Sequence, residues 1–139
     1  MTLRYLLDTS VVSEPMLARP NARLVRRLEQ RATQCAIASP VWHELVYGAA
    51  RLPDGKRRAA LDYYLQSVVH ERLPVLPYDS EAAEWHARER ARLEAAGRSA
   101  TFVDGQIAAI AATRNLVLVT ANRRDFAVFR ELEVADWSG

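Results

Sequence analysis

The sequence predicts an α/β fold in three layers, with a central parallel sheet of about five short strands between two layers of helices. Two observations predict it. Short apolar runs alternate with longer helical stretches along the whole chain, the order that builds parallel sheets. Two of those runs end in polar clusters, Asp8-Thr9-Ser10 and Thr120-Ala121-Asn122, and the carboxyl ends of parallel strands are where such sheets bind ligands.

The elements follow in order. Leu3 to Leu7 reads as a buried strand that ends at an acid, with Asp8-Thr9-Ser10 as a polar turn. Pro20-Asn21 opens a helical stretch to about Arg31, and Cys35 to Ala38 is the second strand. Ser39 as N-cap and Pro40 at the first helical position start a helix that Pro53-Asp54-Gly55 breaks. Lys56 to about Glu71 forms the next helix, and Leu73 to Leu76 the third strand. Asp79-Ser80 caps a long charged helix to Ala96, which Gly97 terminates in the left-handed conformation. Thr101-Phe102-Val103-Asp104 begins a helix with an acid-containing relative of the capping box. Leu116 to Val119 is the fourth strand, a short helix runs from about Asn122 to Arg130, and a last strand lies around Glu133 to Ala135. No repeat or low-complexity linker interrupts the series, so residues 1–139 read as a single domain.

At 139 residues and 50% hydrophobic content the chain can bury one core of useful size. It has no run of about 18 apolar residues and no basic, apolar and small-residue series at its start, so a soluble cytoplasmic protein without a membrane partner is expected. Cys35, the only cysteine, excludes an internal disulfide and, without clustered histidines, a zinc site; its strand context reads as a core thiol. The net charge of +2 permits nucleic-acid binding without requiring it. Lys56 is the lone lysine among nineteen basic residues, and arginine forks suit phosphate and base contacts, although codon bias produces the same replacement.

Asp8 follows the first strand directly, which puts it at the carboxyl edge of the sheet; alone it also fits an Asx turn. Glu44 lies at the edge of the apolar stripe Val41, Leu45, Gly48 and Leu52, where a solvated boundary glutamate is the plain alternative. Asp104 is the most informative acid. The helix after it is apolar almost all round, and Asp104 shares a face with Ile107, Ala108 and Ala111. A carboxylate aligned with a core-facing stripe is costly to desolvate unless it is paired or binds a cation, although the helix's positive end also offers it a capping role. Asn122 and Asp125 follow the fourth strand as N-cap and third helical residue, a structural use that can coexist with a functional one.

Carboxylates gathered in one cleft raise each other's pKa values, and a divalent cation resolves the conflict. Oxygen-only ligands favour a hard ion such as Mg2+ or Mn2+, which activates water and stabilises charge building on a phosphate.

Four segments carry a family likeness: Leu6-Leu7-Asp8-Thr9-Ser10, Glu44-Leu45 followed by Gly48, Asp104-Gly105-Gln106-Ile107-Ala108-Ala109, and Thr120-Ala121-Asn122-Arg123-Arg124-Asp125-Phe126. In this order and spacing the chain resembles, over nearly its whole length, the PIN-domain toxins of bacterial VapBC toxin–antitoxin pairs. The resemblance implies a PIN-like three-layer fold, a Mg2+ or Mn2+ site, and an endoribonuclease that hydrolyses RNA with a metal-activated water. Asp8, Glu44 and Asp104 match the family's three core acids. Asp125 matches a fourth position that is acidic in many members, and Thr9, Thr120 and Asn122 form the accessory polar set. Whether Asp125 or Asn122 stands nearer the metal is left open, and Ser10 stands where many relatives carry asparagine. The resemblance further implies a cognate antitoxin that occupies the acidic cleft, a homodimer, and a toxin–antitoxin hetero-oligomer. The amphipathic helices around Leu24 to Leu28 and Leu61 to Leu65 offer a partner groove or a dimer face, or simply core packing.

For RNA contacts the first candidates are Arg123 and Arg124, flanking the acids, then Arg51 and the group Arg88, Arg90 and Arg92. Trp42 and Trp85 suit either base stacking or the core, and His70 and His86 read as surface or packing residues. A receiver-type phosphate-accepting domain would need adjacent acids after the first strand and a lysine near the end, whereas Asp8 has no acidic neighbour and Lys56 is mid-chain. A haloacid-dehalogenase-type phosphatase would need an aspartate where Ser10 stands, and a zinc protease a histidine where Tyr47 follows His43-Glu44. Neither a Gly-rich phosphate loop nor a Gly-x-Ser-x-Gly elbow is present. A catalytically inactive binding module on the same fold is the remaining alternative, and the intact acid set argues against it.

Overall fold

The computed structural model describes residues 2–139. Among them, β1 (Tyr5–Leu7), β2 (Cys35–Ala38), β3 (Val75–Leu76), β4 (Val117–Val119) and β5 (Val134–Ala135) form one sheet in the order β3-β2-β1-β4-β5. Every neighbouring pair is parallel, and β1 lies in the middle with Leu7 in register with Ile37 on one side and Val119 on the other. The central strands are apolar on both faces, because helices flank the sheet, and Leu6, Ala36, Ile37 and Leu118 are fully buried.

The flanking helices are α1 (Thr9–Ser13), α2 (Ala22–Arg31), α3 (Ser39–Ala50), α4 (Lys56–Tyr64), α5 (His70–Arg72), α6 (Ser80–Ala95), α7 (Phe102–Thr113) and α8 (Arg123–Phe126). Their ends follow local chemistry. Asn21, Asp79 and Thr101 cap α2, α6 and α7, each accepting a backbone N–H three residues on. Gly97 closes α6 at φ +69°, and the Arg98 N–H returns to the Leu93 carbonyl at 2.8 Å in a Schellman turn. As its sequence demands, α7 is the most buried helix: Ile107, Ala108, Ala109, Ile110 and Ala111 are all in the core.

Four elements depart from the sequence reading. The polar turn after β1 continues into α1, because Asp8 caps it and the burial of Val11 and Val12 stabilises it. Ser39 is the first helical residue of α3 rather than its cap, a place taken by Ala38, and no side chain caps that helix. The helix from Lys56 is interrupted by a π-helical turn, Leu65–Val69, which lets Leu65 and Val69 both face the core. The last helix stops at Phe126 because the backbone groups that would extend it are taken by α6: the Arg130 N–H donates to Glu89 at 2.8 Å, and Arg92 donates to the Val128 carbonyl at 2.9 Å.

Candidate active site

The central strand delivers Asp8 to the carboxyl edge of the sheet, where the side chain is almost wholly buried. Each of its oxygens has a donor: Oδ1 accepts the Thr9 N–H at 2.8 Å, and Oδ2 accepts the Thr120 hydroxyl at 2.8 Å. Thr120 comes from the adjacent end of β4, is fully buried, and accepts the Asn122 N–H at 3.0 Å. That bond leaves the hydroxyl proton for Asp8, so the carboxylate is held by a directed relay from β4 rather than by a loop alone. The Asx turn expected at Asp8 is not formed, because the side chain accepts the N–H of the next residue, Thr9, rather than that of Ser10.

Asp104 sits in the first turn of α7, with its N–H donating to the Thr101 hydroxyl at 3.1 Å. Burial pushes its carboxyl above the ordinary aspartate range; a hydrogen bond from the Thr101 side chain to the carboxyl opposes this, and the nearby charges of Asp8 and Asp125 add to it. That mutual influence identifies the group: Asp8, Asp104 and Asp125 converge from β1, α7 and α8. Asp125 is solvent-exposed in the single turn of α8. Glu44 is different. It is exposed on α3, its nearest ionic neighbour is His43 at 3.9 Å, and it does not enter the electrostatics of Asp104. Among the described residues, no three His, Cys, Asp or Glu side chains close into a ready-made metal cage. Like charges hold one another apart unless a cation lies among them.

One neighbour went unread in the sequence. The Ser10 hydroxyl, next but one to Asp8, is buried with no hydrogen-bond partner among the described residues. Its place in the polar turn after β1 was legible, but that its hydroxyl is buried without a partner depends on how α1 packs.

The arginine candidates divide. Arg123 leans toward the sheet edge, 3.4 Å from the Val134 carbonyl, while Arg124 is exposed. Arg51 lies over the Tyr47 ring, 5.7 Å from its centroid. Arg92 is unavailable to RNA, because its guanidinium grips Glu89 at 2.7 and 2.9 Å. Trp42 packs on His70 and Trp85 on Phe129, so both tryptophans serve packing. Cys35 is a core thiol that burial pushes up to about 12.

Comparison with known proteins places the chain in a family. The PIN domain family model matches residues 5–132. The tRNA(fMet)-specific endonuclease VapC of Shigella flexneri is 32% identical, over 98% of this chain and 99% of its own. Toxin FitB of Neisseria gonorrhoeae is 33% identical, over 94% of each chain. Among solved structures, FitAB bound to an IR36 DNA fragment superposes with a TM-score of 0.89 at 26% identity, covering 97% of this chain and 96% of that one. DNA-bound VapBC from Salmonella typhimurium gives 0.81 at 28% identity, covering 97% and 98%.

Proposed function

The chain belongs to the PIN-domain family, as a ribonuclease of the VapC toxin type, and on that premise we propose that Asp8, Asp104 and Asp125, joined by Glu44, form the centre that hydrolyses RNA phosphodiester bonds. The observation that carries this reading is the destabilised anion of Asp104, raised in pKa by burial and by two neighbouring aspartates. Among the described residues no arginine or lysine pairs with any of these acids.

The family's divalent metal fits such a set: the donors are all oxygen, their charge is uncompensated, and the orphaned Ser10 hydroxyl lies in the same turn as Asp8. Mg2+ or Mn2+ is the ion we assign. When bound, it supplies an activated water and draws charge from the phosphate. The chain's own residues do the positioning. Thr9 and Thr120 fix the Asp8 carboxylate in one orientation, and the Asn122 N–H fixes Thr120. Thr101 ties the backbone of Asp104, and Glu44 and Asp125 are the solvent-facing members. Arg124 and Arg51, with Arg123 nearer the sheet edge, are assigned to RNA phosphates.

The same reading takes residues 1–139 as a single cytoplasmic domain that pairs with a copy of itself and with a cognate antitoxin in a hetero-oligomer. An apolar cleft of about 190 Å3, lined by Val25, Leu28, Tyr64 and Val68, supports the antitoxin part. Among the described residues no helix is long and apolar enough to cross a membrane.

The test is cleavage of end-labelled total RNA by purified protein in Mg2+ or Mn2+, in chelator, and with Asp104→Asn. Metal-dependent cuts that disappear in the variant are expected. A folded wild-type protein that cuts nothing, or a variant that cuts equally well, overturns the reading.

A further inference from the structure

A second cavity lies against the helix that carries Asp104. It occupies about 240 Å3 between α6 and the first turn of α7, with Thr101 and Gly105, the neighbours of Asp104 along that turn, in its wall. Asp104 itself is not in the wall, so the cavity shares the first turn of α7 with that acid without including it. From α6 come His86 and Arg90, from the turn that follows comes Arg98, and from α7 comes Phe102.

Three features give this cavity chemistry. His86 is 4% exposed, and its Nδ1 is bonded to the Tyr78 hydroxyl at 2.8 Å. Its Nε2 is turned toward Gly105, whose missing side chain makes the room: a Cβ there would overlap the ring. The ring therefore packs edge-on against the α7 backbone and forms part of the cavity wall. Phe102 is 53% exposed, an aromatic ring left open to solvent at the mouth. His86 packs against it at 4.7 Å between centroids, and the Arg90 guanidinium lies 5.6 Å from the ring centre. Arg90 also pairs with Glu94 at 3.3 Å, whereas Arg98 is exposed and has no ion pair among the described residues.

An exposed ring with the Arg90 guanidinium beside it and the unpaired Arg98 in the same wall is the set of contacts that single-stranded nucleic acid uses: bases stack on aromatics and phosphates meet arginines. We infer that this cavity is a nucleotide subsite, taking one unpaired nucleotide of the RNA substrate with its base on Phe102 and its phosphate on Arg98. The inference rests on the ribonuclease reading above and adds a place where the strand is gripped. A protein ligand is the less suited occupant, since the volume admits a single side group and the wall carries both cationic and ring-stacking contacts.

The experiment is a fluorescence-anisotropy titration with a short labelled single-stranded RNA of mixed sequence, in chelator and in the Asp104→Asn background so that no cleavage intervenes. Phe102→Ala weakens binding by about tenfold, the scale of one lost base–aromatic stack, and Phe102→Tyr restores it. Arg98→Gln weakens binding and lowers the salt dependence by about one phosphate contact. In the cleaving protein both substitutions act mainly by raising KM. Unchanged RNA affinity in Phe102→Ala and Arg98→Gln, with unchanged melting curves, overturns the subsite. So does loss of antitoxin binding with RNA affinity intact. If wild-type protein cuts no RNA yet Phe102→Ala loses RNA binding, the subsite stands and the catalytic reading falls. If wild-type protein cuts RNA and the variants keep its KM, the reverse holds. A protein that neither binds nor cuts RNA overturns both.

Discussion

Thr120 is the residue on which the orientation of Asp8 turns. It is fully buried, and its hydroxyl reaches across from β4 to the Asp8 carboxylate at 2.8 Å. Thr120→Val keeps the volume and removes the donor, leaving a buried carboxylate oxygen short of a partner at a cost of about 1–3 kcal/mol. The expected outcome is a lower melting temperature together with slower RNA cleavage; a variant as active and as stable as wild type would show that Thr120 does not position Asp8. Asp8→Asn and Asp104→Asn act differently. Each is nearly isosteric, so the fold is kept, but a neutral amide is a poor ligand for a hard cation, and cleavage is abolished. Circular dichroism beside the RNA assay checks both halves, and wild-type turnover by either variant contradicts the assigned centre. Gly105→Ala tests the packing behind the site. Its new Cβ runs into a His86 ring that Tyr78 holds in place, so overpacking of about 1–3 kcal/mol is expected in thermal melts.

At the scale of elements, α6 holds the site together from behind. Glu89 is buried on α6, receives two bonds from Arg92 and one from the Arg130 N–H, and Arg92 goes on to the Val128 carbonyl. This clasp anchors the turn after α8, the element that carries Asp125. The hydrogen bond from Arg92 holds the Glu89 carboxyl below the ordinary glutamate range; burial opposes it, and the Arg130 N–H adds to it. A group whose folded pKa is depressed contributes stability above its unfolded pKa and loses it as pH falls through the folded one. Glu89→Gln should thus lower the melting temperature at neutral pH by roughly 5 °C and flatten the acid side of the stability profile, most visibly below the ordinary glutamate range. Parallel wild-type and variant profiles would refute the clasp. The clasp also explains why α8 was overestimated in the sequence. Nothing in Asn122 to Arg130 announces that a glutamate 41 residues before Arg130 and an arginine 36 residues before Val128 will capture its backbone. In contrast, Asn21, Asp79, Gly97 and Thr101 act within a turn of their own positions, and local chemistry sufficed to read them. α1 was missed for a related reason: Asp8 was a recognised turn residue, but the burial of Val11 and Val12 is a tertiary fact.

At the scale of the molecule, the site was legible wherever topology alone determines it. A parallel sheet sends the ends of β1 and β4 to one edge, so Asp8 and the Thr120 cluster were expected on the same side, although their contact follows from the strand order that makes β1 and β4 neighbours; the apolar face that Asp104 shares required that acid to be compensated. Ser10, Phe102 and the His86–Gly105 contact were not legible, because they depend on how α1, α6 and α7 lie against their neighbours. The fold therefore spends part of its stability on gathering like charges, which makes its response to metal predictable in sign. Asp104 carries a raised pKa, so the folded state holds its proton to higher pH than the unfolded chain, and ionisation above that window destabilises the fold. In chelator at neutral pH, Asp104→Asn removes one repelling charge and should melt higher than wild type. Added Mn2+ should reverse the order: at about a hundredfold excess over its Kd an ion that binds only the folded state stabilises wild type by about 2.7 kcal/mol, while the variant gains little. Four melting curves decide the matter, wild type and variant, each with chelator and with Mn2+. A variant that melts lower than wild type in chelator would mean that the Thr101 side chain holds the Asp104 carboxylate more strongly than its neighbours repel it. A variant that gains as much from Mn2+ as wild type would move the metal away from α7.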